Sequence, residues 1–186
     1  MLKWPSTRGY SAPNGIANLV LRGSTFSYDN TPINGDGNGA VIVGGKNSLI
    51  GNCSFARNNW VGLAIDSATN VTVNASAADF KGENEVSVYE VENWLVTGPK
   101  ANSDNWRGYA GGFTGTDADG VKAARVHSAQ LSNLISENYW TSGLWLDTDV
   151  ANVTVTSTTI PYNLTHGLMI ENRPGKHQRI GLGNCV

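Results

Sequence analysis

Two short patterns of apolar and polar positions alternate along the chain. In the first, an opening residue, usually glycine, precedes apolar residues at the next and third-next positions. The copies are Gly39-Ala-Val-Ile-Val43, Gly62-Leu-Ala-Ile-Asp66, Glu85-Val-Ser-Val-Tyr89, Gly120-Val-Lys-Ala-Ala124, Gly143-Leu-Trp-Leu-Asp147 and Gly167-Leu-Met-Ile-Glu171. The second runs through Asn18-Leu-Val-Leu21, Asn47-Ser-Leu-Ile50, Asn70-Val-Thr-Val73, Asn93-Trp-Leu-Val96, Ser128-Ala-Gln-Leu131 and Asn152-Val-Thr-Val155. Strict period-two alternation over so few residues predicts short strands, each with one buried side. The buried pairs read from the first pattern are Ala40/Ile42, Leu63/Ile65, Val86/Val88, Val121/Ala123, Leu144/Leu146 and Leu168/Ile170.

The two patterns keep one period. First residues of the glycine series are 23, 23, 35, 23 and 24 apart, and those of the asparagine series 29, 23, 23, 35 and 24. A shared interval near 23 predicts a solenoid, in which residues at one position stack on their equivalents about 4.8 Å away. A third strand is expected near Phe26, Phe55, Phe80 and Ile160, giving three strands per coil and a triangular prism. A leucine-rich repeat would need a return helix, and a hexapeptide β-helix a period of about 18; neither fits. The chain is therefore read as all-β, one parallel β-helix domain over residues 1–186. It has about six coils of about 23 residues between 14 and 172, and a short uncapped tail, 173–186.

Composition narrows the function. The net charge of −2 provides no basic field for nucleic acid. No apolar run approaches the roughly 18–20 residues of a membrane span. Cys53 and Cys185 lie too far apart in sequence to suggest a metal-ligand spacing. The opening Met-Leu-Lys-Trp-Pro lacks a signal-peptide apolar core, so the chain is either cytoplasmic or a piece of a longer secreted protein. Solenoids need caps, and the tail offers no covering helix, so end-to-end self-association, a partner, or more chain in the natural protein is expected.

The run Ser136-Glu-Asn-Tyr-Trp-Thr-Ser-Gly-Leu-Trp-Leu-Asp147, with Asn152-Val-Thr-Val155 and Asn163-Leu-Thr-His-Gly-Leu-Met-Ile-Glu171, resembles the pectate-lyase-like right-handed parallel β-helix repeat proteins. The resemblance covers roughly residues 14–172 and implies right-handed coils, an extracellular setting and a polysaccharide or oligosaccharide partner. That superfamily holds lyases, hydrolases, epimerases, esterases and non-catalytic phage or adhesin parts, so activity must be argued from a site. The Asn-Thr-Asp, Asp-Asp, Gly-His-Gly and Arg-Ile-Lys set of the polygalacturonase type is absent, as is a clear pectate-lyase calcium cluster.

The longer intervals locate two insertions, around 31–38 and 98–109, both just before the glycine-series strand; the second carries Trp106, Arg107 and Tyr109. Residues facing away from the expected lumen fall in two columns, Val41, Ala64, Ser87, Lys122, Trp145, Met169 and Val43, Asp66, Tyr89, Ala124, Asp147, Glu171. Glu90 and Arg125 follow directly. Trp145, Tyr89, Trp106, Arg107 and Tyr109 are candidate sugar-binding residues, because aromatic rings stack on the apolar faces of sugars. Asp147, Glu171, Lys122 and Arg125 are the catalytic candidates. Asp147 and Glu171 stand on neighbouring coils, at a backbone spacing close to the short carboxyl separation of retaining glycosidases.

Two enzymatic readings follow. As a lyase, Arg125 or Arg107 neutralises a uronate carboxylate while Lys122, His127 or Tyr89 removes the adjacent proton. As a hydrolase, Asp147 and Glu171 form the working pair. No metal site is assigned, although Asp147 and Asp149 are the type of ligands that calcium takes. The competing reading is a non-catalytic β-solenoid, either glycan-binding or structural, in which the outward charges are plain solvated surface.

Overall fold

The computed structural model describes residues 10–12, 16–28, 39–79, 82, 84, 86–102, 119–171 and 179–186. Within them all regular structure is β, and every strand pair is parallel. The strands are β1 (Tyr10–Ala12), β2 (Val20–Arg22), β3 (Thr25–Ser27), β4 (Gly39–Gly51), β5 (Ser54–Ala56), β6 (Val61–Asn74), β7 (Ala77–Asp79), β8 (Val86–Thr97), β9 (Lys100–Asn102), β10 (Asp119–Ser132), β11 (Ile135–Glu137), β12 (Ser142–Leu146), β13 (Ala151–Thr156), β14 (His166–Ile170) and β15 (Ile180–Gly183). One sheet runs β1-β4-β6-β8-β10-β12-β14, with β2, β13 and β15 beside it; the other runs β11-β9-β7-β5-β3. Strands distant in sequence are thus neighbours at coil spacing, and the chain folds as a right-handed parallel β-helix.

The two sequence patterns join. In β4, β6, β8 and β10 the glycine-series and asparagine-series segments form one long strand bent at two points. Ser67, Glu90 and Arg125 take positive φ at the first bend, and Asn47, Asn70, Asn93 and Ser128 at the second. On either side of these strands the two segments stand apart, as β1 and β2 before β4 and as β12 and β13 beyond β10. Left-handed backbone turns the chain within a residue or two, and asparagine tolerates it better than most residues.

Through the middle coils the lumen is filled as the alternation requires, whereas in the last coil Leu168 is only partly buried and Ile170 is exposed. Leu63, Ile65, Val86, Val88, Val121, Ala123, Leu144 and Leu146 are buried in one continuous core with Val71, Trp94, Leu131 and Val155. The first coil departs from the expected phase. Val41 pairs with Leu63 and Val43 with Ile65, so Val41 and Val43, rather than Ala40 and Ile42, face the lumen. The register shifts between Val43 and Gly45, which absorbs the difference, while Ile42 packs outside with Trp60, Val61 and Ala64.

The third strand also needs a correction. Its column reads Phe26, Phe55, Ala78, Ala101, Ser136, with Phe26 and Phe55 stacked at 5.6 Å. Ala78 stands where Phe80 was expected, and Phe80 lies outside the described residues. The solenoid also reaches further than 14–172. Tyr10–Ala12 pairs with Val41–Val43, and Ile180–Gly183 pairs with Val153–Thr156, so part of the tail is another strand.

The glycines that open the repeat have a steric reason. A Cβ on Gly120 would sit 2.6 Å from the Tyr139 ring, and one on Gly143 would sit 2.3 Å from Ile160 Cγ2.

Candidate functional site

The coil register aligns Ile42, Ala64, Ser87, Lys122, Trp145 and Met169 in one outward column. Its middle is not the open sugar platform expected from sequence. Trp145 is only 6% exposed, and Lys122 Nζ lies over its ring, 4.2 Å from the centroid. The same Nζ is 3.3 Å from Asp147 Oδ2.

Asp147 and Glu171 do hold equivalent places on adjacent coils. Asp147 N–H donates to Ala123 O, and Glu171 N–H donates to Leu146 O, each at 2.8 Å. Their side chains differ in circumstance. Asp147 Oδ1 accepts from both the backbone N–H and the hydroxyl of Thr148, while Oδ2 faces Lys122. Glu171 is exposed. Both oxygens of Asp147 are therefore engaged within the fold, which suits an anchored carboxylate better than a nucleophile.

A different group gathers at the first bend. Glu90 Oε1 accepts from Arg125 Nη1 at 2.6 Å, and the Arg125 guanidinium lies 5.2 Å from the centre of the Tyr89 ring. The hydrogen bond to Glu90 raises the Arg125 pKa further, so the guanidinium is a permanent cation. Two residues on, His127 lies between carboxylates: Nδ1 is 3.6 Å from Glu92 and Nε2 is 3.5 Å from Asp149. An open groove of about 600 Å³ is lined by Ser67, Glu90, Glu92, Arg125, His127 and Asp149 together with backbone neighbours.

Sequence reasoning named Arg125, Tyr89 and His127, the last as one of three candidate bases. It missed Glu92 as a partner of His127. The signal was available: the 35-residue interval that sets Val121 over Val86 also sets His127 over Glu92. Trp106, Arg107 and Tyr109 lie outside the described residues. The insertion bearing them begins later than placed, since Lys100–Asn102 is a regular strand paired with β7 and β11.

One buried carboxyl stands apart. Asp119 is 2% exposed, and burial pushes its pKa up to about 6, partly opposed by the Ser142 N–H that donates to its Oδ1 at 2.8 Å. Among the described residues its Oδ2 has no hydrogen-bond partner. Among the described residues no group of three or more His, Cys, Asp or Glu is placed to hold a metal. Asp147 and Asp149, the calcium candidates, turn to different partners, Lys122 and His127.

No known protein family matches the sequence, and no curated protein is similar to it. Solved structures match the fold. A point mutant of the periplasmic alginate epimerase AlgG superposes with a TM-score of 0.69 at 11% identity, over 95% of this chain and 44% of the other. The unmutated AlgG gives 0.66 at 11% identity, over 97% and 43%. Full-length tailspike protein 2 from Escherichia coli O157:H7 bacteriophage CAB120 gives 0.54 at 12% identity, over 72% and 19%. The chain thus spans less than half the length of these neighbours, and at such identities the likeness is one of fold.

Proposed function

We propose that this β-helix binds an acidic polysaccharide along the groove at its first bend and acts on the proton beside a uronate carboxylate. The observation that carries the reading is the placing of Arg125 and His127 along one open groove, with the Tyr89 ring beside the Arg125 guanidinium. Arg125 already holds a carboxylate, that of Glu90, in hydrogen-bonded contact. A uronate can take that place and leave Glu90 to accept sugar hydroxyls. Neutralising the carboxylate by a fixed guanidinium makes the neighbouring C–H more acidic, because charge developing on the carboxylate in the transition state is stabilised.

His127 then takes the C5 proton, with its ring oriented by Glu92 and Asp149. In β-elimination the C5–H electron pair forms the C4–C5 double bond, the C4–O bond breaks, and the Tyr89 hydroxyl protonates the departing oxygen. If the carbanion is instead reprotonated from the opposite face, the outcome is epimerisation. The fold neighbours lend support, since one is an alginate epimerase and alginate is a uronic-acid polymer.

The hydrolase reading is weaker, because both oxygens of Asp147 are engaged. A non-catalytic module is the second reading. It is favoured by the pairing of Arg125 with Glu90 and of Lys122 with Asp147, which neutralises cations inside the fold. Incubation of alginate and polygalacturonate with the protein in heavy water separates the readings. Deuterium at C5 or new unsaturated ends support proton transfer; binding with neither supports the module; new reducing ends with neither exchange nor unsaturation restore the hydrolase.

A further inference from the structure

The second bend carries a column of residues at positive φ: Asn18, Asn47, Asn70, Asn93, Ser128 and Asn152. The first four make an unbroken ladder. Asn47 Nδ2 donates to Asn18 Oδ1 at 3.2 Å, Asn70 Nδ2 to Asn47 Oδ1 at 3.0 Å, and Asn93 Nδ2 to Asn70 Oδ1 at 3.0 Å. Each amide supplies one donor to the coil before and one acceptor to the coil after, so the ladder continues only while every rung is an asparagine.

Ser128 interrupts it. Its φ of 60° matches that of its neighbours, a conformation that asparagine accepts more readily than serine. Its hydroxyl is too short to replace an amide that reaches both ways. Asn93 Oδ1, the Ser128 hydroxyl and the Asn152 amide therefore have no hydrogen-bond partner among the described residues. A groove of about 380 Å³ surrounds the gap, lined by Asn93, Leu95, Ser128, Gln130, Asn152 and Thr154 with their buried neighbours Trp94 and Ala129.

Asn93 and Asn152 stand two coils apart, roughly 10 Å. A sugar ring carrying a hydroxyl at each end can span that distance. The notch also adjoins the first groove, since Ser128 follows His127 in sequence and Asn93 follows Glu92. The two grooves therefore lie side by side along β8 and β10.

We infer that the missing rung at Ser128 is a sugar-hydroxyl subsite: Asn93 Oδ1 accepts from one hydroxyl of the glycan, and the Asn152 amide donates to another. This rests on the glycan reading of the adjoining groove and adds the subsite that holds the neighbouring sugar unit.

The test refills the ladder. Ser128→Asn supplies the absent rung, so it should raise the melting temperature while closing the notch. Ser128→Gly relieves the backbone and leaves the notch open. Both are compared with wild type and Arg125→Ala by calorimetric titration with alginate and polygalacturonate oligosaccharides. Loss of two hydrogen bonds predicts binding weakened about tenfold in Ser128→Asn and retained in Ser128→Gly. Unchanged binding in a stabilised Ser128→Asn overturns the subsite and leaves the Arg125 groove standing. Weakened binding in Ser128→Asn with unchanged binding in Arg125→Ala keeps the subsite and overturns the uronate reading. No binding of either oligosaccharide by wild type overturns both.

Discussion

Lys122 and Asp147, from neighbouring coils, meet in an ion pair of 3.3 Å with side chains only 13% and 16% exposed. Coil stacking brings their backbones into adjacent columns, and the Trp145 ring under Lys122 Nζ shields the pair further. Removing one member leaves a poorly solvated charge behind. Lys122→Met should cost roughly 3 kcal/mol of stability in urea unfolding. Adding Asp147→Leu should recover much of that loss, because no orphaned charge remains. A double variant no more stable than the single one would mean that the pair contributes through packing alone.

Trp145 belongs to this packing. Trp145→Ala should lower stability by about 3–5 kcal/mol, the range for deleting a buried large aromatic. Glycan affinity, measured at a temperature where the variant is folded, should be little changed. A variant as stable as wild type but with weakened affinity would identify the ring as a sugar platform after all.

Asp119 makes stability depend on pH. Its folded pKa of about 6 lies above the unfolded value of 3.8, so folding favours the neutral carboxyl. The resulting stabilisation is fully present below pH 3.8 and is lost as pH rises through about 6. The difference between the two values corresponds to roughly 3 kcal/mol. Asp119→Asn should flatten this part of the pH profile and stabilise the protein at pH 7. A variant less stable than wild type at pH 7 would show that the charged carboxylate is held by more than the Ser142 N–H.

Arg125 and Glu90 are about half exposed, at 50% and 44%, and such pairs add little to stability. Arg125→Ala should therefore melt close to wild type. Its C5 exchange on uronic-acid polymers should fall by about a hundredfold, on the scale of losing one preorganised electrostatic contact. Tyr89→Phe should spare exchange more than elimination, because the phenol acts on the leaving oxygen. Equal exchange rates in Arg125→Ala and wild type would remove the guanidinium from the chemistry.

The fold was legible because stacking makes every coil report the same alternation, so Leu63, Val86 and Val121 announce each other at fixed intervals. The first coil was misread where the rule is local. Gly44 and Gly45 let the strand shift register, and no interval records a shift that occurs inside a strand. Trp145 was placed on the correct side of the strand with the wrong exposure, since period-two alternation reports direction and not what covers the ring. The group around His127 draws Glu92 from one coil and Asp149 from another. Only the backbone bends at Glu90, Arg125 and Asp149 bring those columns to one edge.

Strands that lie across the solenoid axis also decide how the molecule yields to force. A pull between the two ends loads the hydrogen bonds of each coil one after another, with no parallel set to share the stress. The protein should extend in a series of small steps, each freeing one coil. The 23-residue separation of Asn47, Asn70 and Asn93 sets each step at roughly 75 Å of chain. A pull across the axis instead shears several coils together and should meet a single, higher threshold. Mechanical toughness is thus a property of direction in this chain.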